Sequence, residues 1–214
     1  GTYNVLESSK INKIKKVIIT STSEVYGTAR KIPITEDHVL QPQSPYSASK
    51  ISADNLSLSY YYSYKLPVSI IRPFNTFGPR QSARAIIPTI ITQIANGQKK
   101  LKLGSTYTKR NFNFVDDITS AYLKMIEAKN ISGHTINIGS EYNVSINELA
   151  FMISKLMNKK IKIIKDRQRL RPARSEVDIL SCSNKKAQQM LSWKPKYDKE
   201  KGLQKGLLNT IRWF

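Results

Sequence analysis

Short runs of β-branched residues alternate with longer amphipathic segments along this chain, and the alternation limits the fold more than any other feature. Three runs have the length and composition of buried strands, at Lys16–Thr20, Leu66–Ile71 and Thr135–Ile138. Between them lie segments with helical periodicity, the longest of which is Pro45–Tyr64. Because strands that alternate with helices are typical of βαβ units, the sequence predicts an α/β fold with a parallel sheet.

Local signals define the remaining elements. Ser44 and Pro45 predict the beginning of the long helix, and Ser145 with Glu148 three residues on predicts a capping box. Further helices are predicted at Ile86–Ala95, Asp116–Ala128, Asn184–Leu191 and Lys201–Phe214, and further strands at Leu101–Leu103, Asn111–Val115 and Lys160–Lys165.

One motif of a complete doubly wound dinucleotide fold does not occur in the sequence. Such folds open with a strand, a glycine-rich turn and a helix that receives the pyrophosphate, but the chain has no GxGxxG or GxxGxxG pattern. The chain also begins inside a helical pattern at Gly1. We therefore expect the C-terminal part of a Rossmann-like domain, at residues 1–80 and 111–142, and a small α/β substrate lobe, at residues 81–110 and 143–214.

The chain carries 35 Lys and Arg residues against 15 Asp and Glu residues, a formal net charge of +20. Contacts to nucleic-acid phosphates, a solvated lysine-rich surface, or an anionic small substrate such as a sugar diphosphate would each account for this charge. The basic residues are spread along the chain, and no zinc-finger, helix-turn-helix or RNP-like pattern accompanies them. A nucleic-acid partner is therefore not expected.

Cysteine and histidine are too sparse to suggest a disulfide or a metal centre. The single cysteine, Cys182, excludes an internal disulfide and is compatible with a reducing cytoplasm. The two histidines, His38 and His134, lie far apart, so no metal site is predicted. Since no apolar run approaches the roughly 20 residues that cross a bilayer, no membrane segment is predicted.

A run of hydroxyl and carboxylate side chains, Ser21-Thr22-Ser23-Glu24, directly follows the first predicted strand. Ligands of open parallel sheets bind at the carboxyl ends of the strands. Two hydroxyls and a carboxylate at that place can bind a substrate alcohol and move a proton. A polar turn whose hydroxyls satisfy backbone groups, with Glu24 in solvent, is an equal alternative on this run alone.

Tyr46 and Lys50 lie four residues apart in the long predicted helix. Residues at this spacing share a helix face, so the phenol and the ammonium can lie together. A nearby cation favours the phenolate, which can take a proton from an alcohol during hydride transfer. A lone Tyr-x-x-x-Lys is common by chance, and by itself it is more often surface packing.

Arginines and an amide recur after the predicted strands. The guanidinium fork matches phosphate oxygens with two hydrogen bonds. For any single arginine, surface charge is the simpler interpretation. The candidates for binding a phosphorylated ligand are Arg72, Asn75, Arg80, Arg110, Arg171 and Arg174.

Taken in order, these motifs resemble those of the extended short-chain dehydrogenase/reductases that act on nucleotide sugars, the NAD-dependent epimerase/dehydratase family. The resemblance covers nearly the whole chain, through GTYNVLES, STSEVYG, PYSASK, RPFNTFGPR, RNFNFVDD, HTINIG, RPARSEVDIL and LSWKP. The chain is most similar to the 4,6-dehydratases, both of the GDP-mannose type and of the N-acetylglucosamine type of legionaminic-acid pathways.

The resemblance implies a catalytic role for each of five residues. Tyr46, helped by Thr22 and Lys50, would take the proton of the sugar 4-hydroxyl while hydride passes to NAD, with NADP as an alternative. Glu24 would remove the C5 proton, water would leave from C6, and the hydride would return there. Ser23 stands where some dehydratases have an Asp that protonates the leaving hydroxyl, so that role would pass to Glu24 or to a water.

The resemblance also implies the binding residues. The cofactor would contact Ser21, Tyr46 and Lys50. The nucleotide-diphosphate sugar would be held by Asn75, Arg80, Arg110 and either Arg171 or Arg174. The product would be a 4-keto-6-deoxy sugar, made by a cytoplasmic lyase of polysaccharide biosynthesis.

Three other readings stay open at this point. A 4-epimerase and a decarboxylase belong to the same family, although epimerases usually carry a small residue where Glu24 stands. The third reading is a non-catalytic fragment or binding module, because the glycine-rich half is missing. The helix Pro45–Tyr64 carries several tyrosines. By the same resemblance, two subunits would pair through this helix and its neighbour as a four-helix bundle, which gives a homodimer.

Overall fold

The computed structural model describes residues 1–170, 172 and 176–214. Over these residues the helices are α1 (Thr2–Ile11), α2 (Pro45–Tyr64), α3 (Ile86–Ala95), α4 (Val115–Glu127), α5 (Ile146–Leu156), α6 (Lys185–Leu191) and α7 (Lys199–Ile211). The strands are β1 (Val17–Thr20), β2 (Val68–Pro73), β3 (Thr76–Phe77), β4 (Lys100–Leu103), β5 (Lys109–Arg110), β6 (Asn113–Phe114), β7 (Thr135–Ile138), β8 (Val144–Ser145), β9 (Lys162–Lys165) and β10 (Ile179–Leu180).

A parallel sheet with the strand order β1-β2-β7 forms the centre of the fold. Its register pairs Val17 with Val68 and Ile70 with Thr135. The first five residues of β2 are buried, as expected for a central strand of Val and Ile covered on both faces. The predicted α/β fold with a parallel sheet is confirmed.

Helices cover both faces of this sheet. On one face, Leu6 of α1 packs in an apolar cluster with Val68 of β2. On the other face, Ile118 of α4 packs with Ile71 of β2. Because successive side chains of a strand point to opposite faces, one strand serves both clusters.

A separate apolar core lies around α3, α5 and α7. Ile90, Leu149 and Leu207, one from each helix, are completely buried in it. Strand β4 adds Leu101 and Leu103 to this core and pairs in parallel with β9. The division into two domains at the predicted boundaries stays a prediction. Among the described helices, none is both long and apolar enough to cross a membrane.

Capping groups fix the beginnings of α2 and α5 where the sequence predicted them. The Ser44 hydroxyl accepts a hydrogen bond from the Ser47 amide at 3.1 Å, and Pro45 occupies the first turn. The Ser145 hydroxyl accepts from the Glu148 amide at 3.1 Å, while the Glu148 carboxylate accepts from the Ser145 amide at 2.7 Å. Both helices therefore begin with their first amides satisfied.

Several predicted elements differ at their ends from the structure by one to three residues. The strand predicted at Asn111–Val115 is reduced to β6, because helix α4 already begins at Val115. The acidic side chains in the first turn of α4 interact favourably with the positive end of the helix dipole. The last helix was predicted at Lys201–Phe214, and α7 begins and ends earlier.

Candidate active site

A cavity of about 440 Å³ opens beside the turn that follows β1. The turn contributes Glu24 to its wall, the segment between β2 and β3 contributes Asn75, and β5 contributes Arg110. Three residues that the sequence proposed for catalysis or substrate binding therefore line one space. The volume is in the range of small-molecule sites, about 300–1,000 Å³.

The turn after β1 is a single 3-10 turn, Ser23–Tyr26. The Thr22 hydroxyl caps it by accepting a hydrogen bond from the Glu24 amide at 3.2 Å. Gly27 closes the turn with φ +58°, and a Cβ there would lie 2.9 Å from the Gln41 side chain. The hydroxyl of Thr22 therefore holds the local backbone, as the polar-turn alternative expected, and the same turn brings Glu24 to the cavity.

Two residues that the sequence proposed as ligand contacts have internal partners instead. The Ser21 hydroxyl, proposed for the cofactor, is buried and donates to Asp54 Oδ2 at 2.8 Å. The Arg72 guanidinium, proposed for phosphate, is buried and forms an ion pair with Asp54 at 2.9 Å. Both side chains thus have partners within the fold, and their contacts to a ligand stay predictions. Sequence reasoning missed Asp54 as the partner of both, because this residue lies eight positions after Tyr46, in a part of the helix that carries no recognisable motif.

Tyr46 and Lys50 lie on successive turns of α2, near the end of β1. The Lys50 ammonium donates to the Thr20 carbonyl at 3.0 Å, so it is anchored to the strand that leads into the turn with Glu24. Tyr46 is 52% exposed. Neither residue is among the described residues that line the cavity with Glu24. The structure thus places Tyr46 and Lys50 outside the lining of this cavity, with the Tyr46 side chain exposed.

Arg80 does not reach the cavity. Its backbone is in the left-handed region, with φ 65°, and its guanidinium lies 5.3 Å from the ring centroid of Trp213. Two other residues of the same loop, Gln81 and Arg84, line the cavity instead. Sequence reasoning missed them because Arg80 completes the recognisable motif. Arg171 and Arg174, also proposed for the substrate, lie outside the described residues.

The cavity wall is basic. Arg110 is nearly buried, donates to the Lys109 carbonyl at 2.9 Å and lies 3.7 Å from the Glu176 carboxylate. Arg84 and Arg169 also line the cavity, together with the carboxylates Glu24 and Glu176, and Arg169 Nε lies 3.2 Å from Asp166. Arginines in such a wall can bind the oxygens of an anionic ligand such as a phosphate.

Two amide groups in the cavity wall have unused hydrogen-bonding atoms. Asn75 Nδ2 and Gln81 Oε1 are buried and, within the described part of the chain, have no hydrogen-bond partner. An unpaired buried donor or acceptor costs about 1–3 kcal/mol. A polar ligand that satisfied one donor and one acceptor here would remove that cost.

Comparison with known proteins assigns the chain to a family. It matches the family model described as GDP-mannose 4,6 dehydratase over residues 1–206. The dTDP-glucose 4,6-dehydratase of Streptomyces griseus is 30% identical over 217 residues, which cover 100% of this chain and 63% of the relative. The UDP-glucuronate 4-epimerase of Thermodesulfobacterium geofontis is 32% identical over 216 residues, with coverages of 100% and 63%. The chain spans 36% to 63% of the length of the first curated relatives that it matches.

Solved structures give the same assignment. The dTDP-glucose 4,6-dehydratase of Bacillus anthracis in complex with NAD has a TM-score of 0.86 at 32% identity, covering 99% of this chain and 65% of that chain. The UDP-N-acetylglucosamine 4-epimerase of Methanobrevibacter ruminantium has a TM-score of 0.87 at 30% identity, covering 100% and 67%. With its Rossmann-like parallel sheet and a family match over almost its whole length, the chain belongs to the GDP-mannose 4,6-dehydratase family of extended short-chain dehydrogenase/reductases, the nucleotide-sugar epimerases and dehydratases.

Proposed function

We propose that this chain carries the substrate-binding and acid–base part of an NAD-dependent nucleotide-sugar 4,6-dehydratase. Such a lyase converts an NDP-hexose to an NDP-4-keto-6-deoxyhexose without net redox change. The observation that carries the proposal is the position of Glu24, which lines the same cavity as Asn75 and Arg110. Dehydration needs a base for the C5 proton, and a carboxylate in the wall of a basic cavity can serve as one.

Tyr46 and Lys50 fit the first half of the reaction. Lys50 is anchored on the carbonyl of Thr20, the last residue of β1, at the edge where ligands of parallel α/β sheets bind. Tyr46 lies one helical turn before it on α2. The Tyr46 phenolate, which the Lys50 ammonium would favour, would take the proton of the sugar 4-hydroxyl and become the phenol. NAD, when bound beside them, supplies the acceptor for the C4 hydride and its donor to C6.

Glu24 would carry the second half. A ketone at C4 acidifies the neighbouring C5 proton, which the Glu24 carboxylate would remove before the C6 hydroxyl leaves as water. Ser23 is only 2% exposed, and a serine hydroxyl is a poor general acid for the leaving group. That proton would come from Glu24, once it has taken the C5 proton, or from a water.

The basic cavity wall would hold the diphosphate of the substrate. Arg110, Arg84 and Arg169 line it together, and guanidinium groups bind phosphate oxygens with charge-assisted hydrogen bonds. Asn75 Nδ2 adds an unused donor in the same wall. The excess of basic residues in the chain is, in this proposal, partly a consequence of an anionic substrate.

The proposal is tested by mass spectrometry of dTDP-glucose, GDP-mannose and UDP-N-acetylglucosamine incubated with NAD in deuterated water. The protein is the chain joined to the glycine-rich segment of the Streptomyces griseus relative. We expect loss of water from one sugar nucleotide and deuterium at C5. Glu24→Gln should slow both by about 10³-fold and leave C4 oxidation, followed by absorbance of NADH, in place. Glu127→Gln, which removes an exposed carboxylate on α4, is the matched control.

A 4-epimerase is the second candidate, because epimerases and dehydratases match the chain at similar identity. An epimerase gives a product of unchanged mass, and it has no use for proton removal at C5. An isomer of unchanged mass, made equally well by wild type and Glu24→Gln, would therefore replace the dehydratase proposal. Loss of carbon dioxide from UDP-glucuronate would instead indicate a decarboxylase.

Binding of NAD by residues 1–214 alone tests how much of the cofactor site they supply. Because the sequence has no glycine-rich turn to bind the pyrophosphate, we expect calorimetry to give an affinity weaker than micromolar. Addition of the glycine-rich segment should strengthen it. Micromolar binding by these residues alone would contradict the proposed division of the site.

We also propose that the protein acts as a homodimer in the cytoplasm and serves polysaccharide biosynthesis. The support for the dimer is the exposed apolar surface of α1 and α2, which includes Tyr3, Val5, Tyr62 and Tyr64. Surfaces of this kind are covered in many assemblies. Analytical ultracentrifugation at micromolar concentration tests it, and a monomer there would contradict it.

A further inference from the structure

A buried ion pair lies behind the turn that carries Glu24. Arg72 of β2 and Asp54 of α2 are 4% and 1% exposed. Arg72 Nε donates to Asp54 Oδ2 at 3.0 Å, and Arg72 Nη2 lies 2.9 Å from the same oxygen. This charge-assisted bond and the ion pair fix the two side chains, and with them strand β2 and helix α2, relative to each other.

Both ends of the turn that carries Glu24, residues 21–26, are bonded to this ion pair. At its beginning, the Ser21 hydroxyl donates to Asp54 Oδ2 at 2.8 Å. At its end, the Tyr26 hydroxyl accepts from Arg72 at 2.9 Å and donates to Asn137 Oδ1 at 2.7 Å. The turn between Ser21 and Tyr26, which contains Thr22 and Glu24, is therefore held at one end by Asp54 and at the other by Arg72.

The same pair is attached to the helix face that carries the redox residues. Asp54 follows Lys50 by four residues, and Lys50 follows Tyr46 by four, so all three lie on one face of α2. The Lys50 ammonium in turn donates to the Thr20 carbonyl, directly before the turn, at 3.0 Å. The turn and the helix face are thus linked both through Asp54 and through Lys50.

We propose that Asp54 and Arg72 are positioning residues, which set the distance between Glu24 and Tyr46. The proposal rests on the proposed function, in which these two side chains act on adjacent carbons of one sugar. A base displaced by about 1 Å loses on the order of 100-fold in rate. Loosening the link between the turn that carries Glu24 and the helix that carries Tyr46 should therefore lower the turnover rate.

Stability alone is a poor explanation for the pair. Buried ion pairs are often no more stabilising than apolar residues of the same volume. The other oxygen of the carboxylate, Asp54 Oδ1, is buried and has no hydrogen-bond partner among the described residues. What the pair does supply is orientation, because each of its two members bonds one end of the turn.

The test uses variants that remove one link and keep the ion pair and the core volume. Ser21→Ala removes the link at the beginning of the turn, and Tyr26→Phe removes the link at its end. Ser69→Ala is the matched control for the first, since the Ser69 hydroxyl is buried in the same sheet and donates to the Ile131 carbonyl at 2.8 Å. Tyr60→Phe is the control for the second, since the Tyr60 hydroxyl is buried and bonds Glu7.

The first measurement is backbone hydrogen exchange of residues 22–27, which does not depend on activity. We expect exchange to be about tenfold faster in Ser21→Ala and Tyr26→Phe, because each variant loses one hydrogen bond that holds the turn. Exchange should be unchanged in the two controls. Unchanged exchange in both test variants, or equal acceleration in the controls, would overturn the proposal.

The second measurement is turnover, in the chain joined to the glycine-rich segment. We expect kcat for the release of water to fall about tenfold in both test variants with KM within about twofold, and both values to stay unchanged in the controls. A rise in KM at constant kcat would overturn the positioning role. If the wild-type protein acts on no sugar nucleotide, the proposed function is wrong. Hydrogen exchange of residues 22–27 would still show whether Ser21 and Tyr26 hold the turn.

Discussion

The two halves of the candidate active site differ in how much of their surroundings this chain supplies. Glu24 lies in the wall of a cavity together with Asn75 and Arg110, on a turn bonded at both ends to buried side chains. Tyr46 lies on the first turn of α2, is 52% exposed and is outside the lining of that cavity. The surroundings of Glu24 are therefore supplied by the chain itself, whereas the Tyr46 side chain is exposed.

This difference shows which part of the chemistry is preorganised here. A catalytic group needs neighbours that fix its orientation and exclude water from it. On the Glu24 side, a turn bonded at both ends to buried side chains supplies the first of these. The Tyr46 side has the anchored Lys50 ammonium, and a bound ligand or a further protein segment has to supply the rest. Four changes would sharpen or break this contrast.

The largest expected effect is on the free energy of unfolding, when the ion pair behind the Glu24 turn is broken. Asp54→Leu leaves the buried Arg72 guanidinium without its ion-pair partner, so the free energy of unfolding should fall by about 3–5 kcal/mol. Tyr46→Phe, on the open side, should change it by less than about 0.5 kcal/mol. Urea denaturation followed by circular dichroism measures both. A loss below about 1 kcal/mol in Asp54→Leu would remove the contrast.

The next effect is on ligand affinity. Arg110→Ala removes a guanidinium from the cavity wall, and we expect affinity for the sugar nucleotide to fall about 10- to 100-fold, the loss of a charge-assisted hydrogen bond. Arg80→Ala is the matched control, because that guanidinium stacks on Trp213. Calorimetric titration with the sugar nucleotide tests both, and equal losses would mean that the cavity is not the binding site.

A smaller effect is expected at α5, whose first residue lines the cavity. Ser145→Ala removes the N-cap hydroxyl, so the free energy of unfolding should fall by about 1 kcal/mol at pH 7. Hydrogen bonds from the Ser145 amide and hydroxyl hold the pKa of Glu148 below its usual 4.5. Since the pKa is lower in the folded state, this stabilisation is complete above pH 4.5 and is lost as the pH falls through the folded value. The effect of Ser145→Ala should therefore shrink in acid, and urea denaturation at pH 7 and pH 3 tests it. An effect that grows in acid would contradict the capping role.

The smallest effect is expected for Arg80. Its contact with Trp213 is an exposed cation–π interaction, which contributes about 0.5–1 kcal/mol. Arg80→Ala should lower the free energy of unfolding by that amount and leave turnover unchanged. Trp213 fluorescence follows the unfolding. A loss of turnover would return Arg80 to the substrate site that the sequence motif suggested.

The sequence was informative where local chemistry decides. Ser44 with Pro45 and Ser145 with Glu148 predicted the beginnings of α2 and α5, because a cap bonds amides within its own turn. The β-branched runs predicted the parallel sheet. The motifs placed Glu24 at a strand end, the edge at which the structure has its cavity.

The sequence was misleading where residue type alone was used. Arg72 and Arg80 have the same side chain and neighbouring motifs, yet one is buried against Asp54 and the other stacks on Trp213. Gln81 and Arg84 line the cavity without belonging to a recognisable motif. Which arginine faces a cavity depends on loop conformation, and that is not encoded in residue spacing.

The sequence by itself determined the layered α/β architecture, the helix beginnings and the family, because these follow from periodicity, caps and ordered motifs within short stretches of chain. Only the tertiary structure decided that Ser21 and Tyr26 bond one ion pair, and that Tyr46 and Glu24 have such different surroundings. Both depend on packing between β2, α2 and the turn, whose contacts join residues far apart in sequence, and hydrogen-bond partners at that separation are chosen by the fold as a whole.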